Sequence, residues 1–185
     1  AMPPLLEIVT RTFGKRPTLL AANQASLQAL TSTDWTQTIL MDEVGRGVPW
    51  ANVRLGAHVP SGRYVWVLDD DDVCIRPTLV EELAEIATLN APDCILLKMD
   101  HGPLGVLPDG KHWGYRTLER GHIGVSAFVV TKEIWCAFSD CWAERYDGDF
   151  DFIGKVVANK SVRLYWHDVI ASRVQRISVG LPEAV

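Results

Sequence analysis

Seven short runs of apolar and β-forming residues punctuate the chain: Leu5–Thr10, Thr36–Met41, Arg63–Leu68, Asp93–Met99, Ser126–Val130, Val162–Trp166 and Val169–Val174. Each reads as a strand. Helical spacing fills the gaps between them. Pro17 suits a first helical turn, and Leu20, Leu27 and Leu30 then share one face. Gly45, Gly47 and Pro49 mark a loop that leads to a helix around Ala51–Val59. The segment Thr78–Leu89 is amphipathic, with Glu81 and Glu82 near its start, where the helix dipole favours carboxylates. Lys132–Phe138 and Phe150–Asn159 read as two further helices, and Leu107-Pro108-Asp109-Gly110 as the tip of a hairpin. Strands alternating with helices predict an α/β fold, a Rossmann-like and mostly parallel central sheet flanked by helices. The more irregular second half would cover the crevice at the strand ends.

With 185 residues, 48% of them hydrophobic, the chain has enough core for a single domain without disulfides or structural metal. No apolar run approaches the ~20 residues of a membrane span. The N-terminus lacks a basic stretch followed by a long apolar one, so a soluble, cytoplasmic protein is the expectation. A net charge of −5 argues against a general nucleic-acid binder. Locally the balance reverses: Lys155, Lys160, Arg163, Arg173 and Arg176 face Asp168 alone, a stretch suited to phosphates or to a solvated face. Cys74, Cys94, Cys136 and Cys141 contain no C-x-x-C pair and read as reduced, buried thiols.

The strongest chemical signal is Val65-Trp66-Val67-Leu68 running straight into Asp69-Asp70-Asp71-Asp72. Two carboxylates ~6 Å apart at an effective dielectric near 20 repel by roughly 3 kcal/mol. Four in a row must splay into water or hold a cation. Alternate residues of an extended segment point the same way, so Asp69 and Asp71 can converge on one hard ion. Spacing excludes several other sites. An EF-hand fails because its sixth and twelfth loop positions hold Cys74 and Val80. No P-loop occurs, Gly45-Arg46-Gly47 lacks a third glycine, and Gly124-Val125-Ser126 continues with Ala127-Phe128 rather than a nucleophile elbow. Asp69-Asp70-Asp71-Asp72-Val73 resembles the D-x-D-x-[TV] signature of haloacid dehalogenase-like phosphotransferases, which would make Asp69 a nucleophile. That motif usually opens the chain, however, and the later acid it needs falls on Ile153.

The longer stretch from Gly56 to Asp72, with Gly62-Arg63-Tyr64, an apolar strand and Leu68-Asp69-Asp70-Asp71-Asp72, resembles the family 2 glycosyltransferases of the GT-A fold. Arg76-Pro77-Thr78-Leu79 is similar to the family's next helix start, and Ile39-Leu40-Met41-Asp42-Glu43 to its second strand and acidic pair. Gly148-Asp149-Phe150-Asp151-Phe152 is similar to its E-D acceptor-side motif, with Gly148 in place of the usual Glu. The resemblance implies one GT-A-like domain over residues 1–185. Its nucleotide-sugar-binding half would cover about residues 5–99, and a smaller, irregular acceptor-side half about 100–175.

By that resemblance the protein is an inverting, metal-dependent transferase. It would move a sugar from a nucleotide-diphosphate donor, a UDP-sugar foremost, to a hydroxyl on a glycan, lipid carrier, protein or modified base. Mn²⁺ or Mg²⁺ would sit on Asp71, with Asp69 and Asp72 and with His167 completing the shell. Thr10, Arg11, Asp42, Asp69 and Asp70 would bind the nucleotide, and Asp149, or else Asp151, would be the base. The alternatives are the Asp69 phosphotransferase and a binding module without turnover. Trp113, Trp142 and His122 are candidates for the acceptor side, whereas Trp35, Trp66 and Trp135 read as core and His58, His101 and His112 as surface.

Overall fold

The computed structural model describes residues 2–175 and Pro182. Its strands are β1 (Leu6–Phe13), β2 (Trp35–Asp42), β3 (Tyr64–Val67), β4 (Asp72–Cys74), β5 (Cys94–Asp100), β6 (Val106–Leu107), β7 (Phe128–Thr131) and β8 (Leu164–Val174). Its helices are α1 (Pro17–Gln28), α2 (Val48–Ala57), α3 (Leu79–Asn90), α4 (Gly110–Tyr115), α5 (Lys132–Ala137) and α6 (Gly148–Ala158). The strands form one sheet in the order β2-β1-β3-β7-β5-β8-β4, with β6 added beside β5. β1 pairs in parallel with β2 and β3, and β5 in parallel with β8, while β7 runs against both β3 and β5. The mostly parallel, helix-flanked sheet expected from the sequence is therefore present.

Both faces of this sheet are buried, which is why its strands read as continuous apolar runs. On one face Leu6, Ile8, Trp66 and Leu68 pack with Leu27 of α1 and Leu79, Leu83 and Ile86 of α3. On the other, Val9, Val65 and Val67 pack with Leu55 of α2, Trp135 of α5 and Phe152, Ile153 and Val156 of α6. The period-2 alternation of side chains divides neighbouring residues between the two cores. Gly62 lets the chain enter β3 against β1, since a Cβ there would meet the Glu7 backbone nitrogen at 2.6 Å.

Several local expectations are corrected. Val162–Trp166 and Val169–Val174 belong to one strand, β8, whose register against β5 shifts between Leu96 and Lys98. This bulge absorbs the polar His167-Asp168 pair that divides the run in sequence. Leu107–Gly110 is no hairpin tip: Asp109 caps α4, its Oδ1 accepting from the His112 backbone N–H at 2.9 Å. The strand expected from Ser126 begins at Phe128, after a 3₁₀ turn over Val125–Ala127. Asp72–Cys74, read only as part of the acidic run, is a strand paired with the end of β8. Trp113 and Trp142 are core residues, 7% and 3% exposed, and Trp142 stacks on Phe152 at 4.4 Å. Cys74 and Cys94 are buried as expected, but Cys136 is exposed and Cys141 half-buried. Of the basic stretch, Lys155, Lys160, Arg163 and Arg173 are exposed, Arg163 pairing with Asp93, and Arg176 lies outside the described residues. Among the described residues no helix is long and apolar enough to cross a membrane.

Candidate functional site

Because β1, β2 and β3 run in parallel, their C-terminal ends open on the same side of the sheet. A cavity of about 540 Å³ lies there. Its walls are the end of β1, Asp42 at the end of β2, the acidic turn Asp69–Asp72 and the Asp147–Phe150 start of α6, closed on a further side by apolar residues such as Met99, Leu107 and Ile123.

The acidic turn is fixed through its backbone. Leu68 and Asp70 donate N–H bonds to the Val9 and Arg11 carbonyls, at 3.0 and 3.2 Å, so the chain stays alongside β1 beyond β3 itself. The buried amide of Asn23 lies 2.9 and 3.0 Å from the carbonyls of Asp69 and Asp72. Gln175 reaches the other two, its side chain donating to the Asp70 carbonyl at 3.0 Å and its backbone N–H to that of Asp71 at 2.6 Å.

Two arginines neutralise much of the turn. Arg11 grips Asp69 with two bonds, Nε to Oδ1 at 2.8 Å and Nη2 to Oδ2 at 2.7 Å, and donates a third to Asn52 Oδ1 at 2.7 Å. Arg16, only 5% exposed, spans Asp70 Oδ1 at 2.8 Å and Asp71 Oδ2 at 3.0 Å. Thr12 completes Asp70 with a bond of 2.8 Å. Asp72 receives no side-chain hydrogen bond among the described residues. Burial, and then the charges of Asp71, Asp69 and Asp70, push its pKa well above the ordinary carboxylate value. Burial also raises Asp70, to about 7 against the pull of Arg16, and raises Asp71, which feels Asp69 as well.

These residues fit a divalent cation. Asp69, Asp71 and Asp72 each place a carboxylate oxygen within 4.8 Å of the others, an all-oxygen set of the kind hard ions take. The uncompensated, buried Asp72 is the member whose charge such an ion would relieve most.

Across the cavity, Asp149 occupies the first turn of α6 because that helix begins at Gly148, two residues earlier than the sequence indicates. Burial raises its pKa, and the Arg11 charge, felt across the cavity, opposes the rise. Of the residues expected in the site, Arg11, Asp42, Asp69, Asp70, Asp71, Asp72 and Asp149 all line this one cavity. Asp42 does so with its carboxylate already accepting backbone N–H bonds from Val44, Gly45 and Arg46.

Three expected residues lie elsewhere. Thr10 is fully buried and accepts from Gln37 Nε2 at 2.8 Å. Asp151 faces Arg145 first and Arg120 second, and these hold its pKa down at about 2. His167 is turned to Glu82 of α3, 2.7 Å from Oε1, and not to the acidic turn. The sequence reading missed Arg16, Asn23, Asn52 and Gln175. Arg16-Pro17 marked only a helix start, and the other three carry no local signature.

No known protein family and no curated protein sequence matches the chain. Solved structures do match. The 1–349 piece of TarS from S. aureus superposes with a TM-score of 0.64 at 13% identity, over 91% of this chain and 60% of that one. The same piece determined in complex with UDP-GlcNAc gives 0.65 at 13% identity, over 94% and 59%. A197 from STIV gives 0.55 at 14% identity, over 88% and 81%. The fold is GT-A-like. The chain spans about 60% of the TarS piece, so the likeness concerns the fold of that shared part.

Proposed function

We propose that the protein is a metal-dependent, inverting glycosyltransferase that moves a hexose from a nucleoside-diphosphate sugar, a UDP-sugar foremost, to an acceptor hydroxyl. One observation carries this reading: a half-buried carboxylate, Asp149, faces the Arg11–Asp69 pair across a cavity that the acidic turn also lines. Residues about 5–99 would hold the donor, with Asp69, kept in place by Arg11, meeting the ribose. Asp71 and Asp72, with Asp69, would hold Mn²⁺ or Mg²⁺. When bound, such an ion offsets negative charge on a diphosphate leaving group.

Asp149 then has the role of base. A carboxylate whose pKa is raised by burial is a better proton acceptor than an exposed one. It takes the proton of the acceptor hydroxyl as that oxygen attacks the anomeric carbon. The bond from that carbon to the diphosphate breaks with its electron pair on the nucleotide, and the configuration inverts. With Trp113 and Trp142 in the core, Tyr146 and Phe150 on the cavity wall take over the stacking role for sugar or acceptor rings. An aspartyl nucleophile at position 69 is disfavoured, because Arg11 occupies both of its oxygens.

The test is transfer from a panel of nucleotide sugars with Mn²⁺ present, by the parent chain and by Asp149→Asn. The expected loss in kcat is about 10² to 10⁴-fold with donor affinity retained. Binding of donor without turnover by the parent chain would instead make it a binding module. Equal turnover by Asp149→Asn would remove the assigned base.

A further inference from the structure

A second constellation of ligand-type side chains lies outside the acidic turn. Asp109 and His112 sit at the start of α4, and Glu119 and His122 follow in the loop that leads to β7. The spacing repeats: an acid is followed three residues later by a histidine, first at 109 and 112, then at 119 and 122. The fold stacks the two imidazoles, 5.1 Å apart and 29° from parallel. One donor atom each from Asp109, His112 and His122 lies within 4.8 Å of the other two.

His112 is gripped at both ring nitrogens. Asp109 Oδ1 lies 2.8 Å from Nδ1, and Glu119 Oε2 lies 2.8 Å from Nε2. A neutral imidazole has one N–H and one lone pair. With Nε2–H given to Glu119, the Nδ1 lone pair meets the Asp109 carboxylate, and a positive species belongs between them. A proton meets that need for two atoms. His122 brings a third donor to the same point, and its ring makes no hydrogen bond among the described residues. Two carboxylates and two neutral imidazoles also carry the charge that a divalent ion balances.

We propose that Asp109, His112 and His122 form a site for a divalent transition ion of the zinc class, with Glu119 orienting His112 from outside the ligand set. Imidazole donors suit zinc, copper and nickel, whereas the all-oxygen set of the acidic turn suits magnesium or manganese. A carboxylate behind a ligating histidine fixes its tautomer, and its loss costs metal affinity. The ion would pin the loop carrying His122 to α4. That loop's Gly121 and Ile123 line the large cavity, so the metal would stiffen its wall.

The experiment is calorimetric titration of Zn²⁺ into the chain held in saturating Mg²⁺, which keeps the acidic turn occupied. The expected result is one Zn²⁺ per chain, an affinity loss of more than tenfold in His122→Ala, and a loss of about tenfold in Glu119→Gln. Mg²⁺ binding and the melting temperature in EDTA should stay at the parent values in His122→Ala, because His122 is exposed. Absence of Zn²⁺ binding by the parent chain, or an affinity unchanged by His122→Ala, overturns the proposal.

Discussion

Arg11 closes on Asp69 as a two-pronged fork, with bonds of 2.8 and 2.7 Å between residues 58 positions apart in the chain. Asn52 takes the remaining Nη1 at 2.7 Å, so the guanidinium is held from both sides. Burial disfavours the Arg11 charge, but the facing Asp69 carboxylate outweighs this and keeps its pKa above the usual value. One planar cation thus ties the end of β1 to the acidic turn. Lysine, a point charge on a flexible stem, cannot reproduce the fork. Arg11→Lys is expected to lower stability by about 2 kcal/mol in metal-free buffer, the cost of a lost charged hydrogen bond in a half-buried setting. Mg²⁺ should recover part of the loss. Urea midpoints with and without Mg²⁺ check this, and unchanged midpoints would mean that Arg11 does not organise the turn.

Acids of the quartet should respond to different degrees, according to whether a cation holds them. Asp70 is 1% exposed and shares Arg16 with Asp71, so Asp70→Asn leaves the buried guanidinium still paired with Asp71. Burial already disfavours the Asp70 charge, so the neutral amide relieves part of what it loses, and the expected change stays within about 1 kcal/mol, the net worth of one hydrogen bond. Asp72 is buried against like charges with no cation bonded to it. Asp72→Asn is therefore expected to raise the melting temperature of the metal-free chain while reducing the stabilisation that Mg²⁺ gives. Thermal melts of both variants across a Mg²⁺ series supply the comparison. A destabilised metal-free Asp72→Asn would contradict the charge argument.

These contrasts show which parts of the site a linear reading reaches. The apolar run Tyr64–Leu68 and the acids after it are local patterns, and a parallel sheet delivers such a run to the end where crevices form. Arg16 and Asn23 act on the same acids from 54 and 46 positions away, and Gln175 from 105, through contacts that leave no periodicity in the chain. His167 misleads for a related reason. Beside a strand end it looks free to join a metal shell, but the β8 bulge turns it to Glu82. Trp113 and Trp142 lie in segments without regular pattern. Their burial depends on the space between sheet and helices, which only packing defines.

Glu7 supplies a pH signature away from the cavity. It lies inside β1 at 1% exposure and accepts from Thr38 Oγ1 at 2.9 Å and Ser61 Oγ at 3.1 Å, with His58 Nε2 at 3.3 Å. Burial alone would raise its pKa, but the bonds from His58 and Thr38 outweigh it and bring the value below 4.5. A depressed folded-state pKa adds stability that is present above the unfolded-state value and lost as pH falls through the folded-state one. Glu7→Gln is thus expected to be less stable than the parent at pH 7, with the gap shrinking below about pH 4.5. Denaturation curves at pH 7, 5 and 3.5 measure the gap, and a constant difference across the series would refute the linkage.

Gly148 and Gly154, six residues apart on α6, should part company when each is changed to alanine. A Cβ at position 148 would press into the Ala143 carbonyl oxygen, backbone that cannot swing aside, whereas at 154 it would meet Phe150 Cε1 at an ordinary 3.4 Å. Overpacking of this kind costs about 1–3 kcal/mol. Replacing an unstrained helical glycine gains up to about 1 kcal/mol. Gly148→Ala is therefore expected to shift the urea midpoint down and Gly154→Ala to leave it level or raise it. The same clash accounts for glycine at position 148, where the resembling glycosyltransferases usually carry glutamate: the Ala143–Gly148 approach leaves no room for any side chain. Since Asp149 is the next residue, Gly148→Ala should also displace that carboxylate relative to Arg11 and reduce transfer more than its stability loss alone explains. A Gly148→Ala chain of full stability would show that the turn before α6 can relax, and would remove this explanation for the missing glutamate.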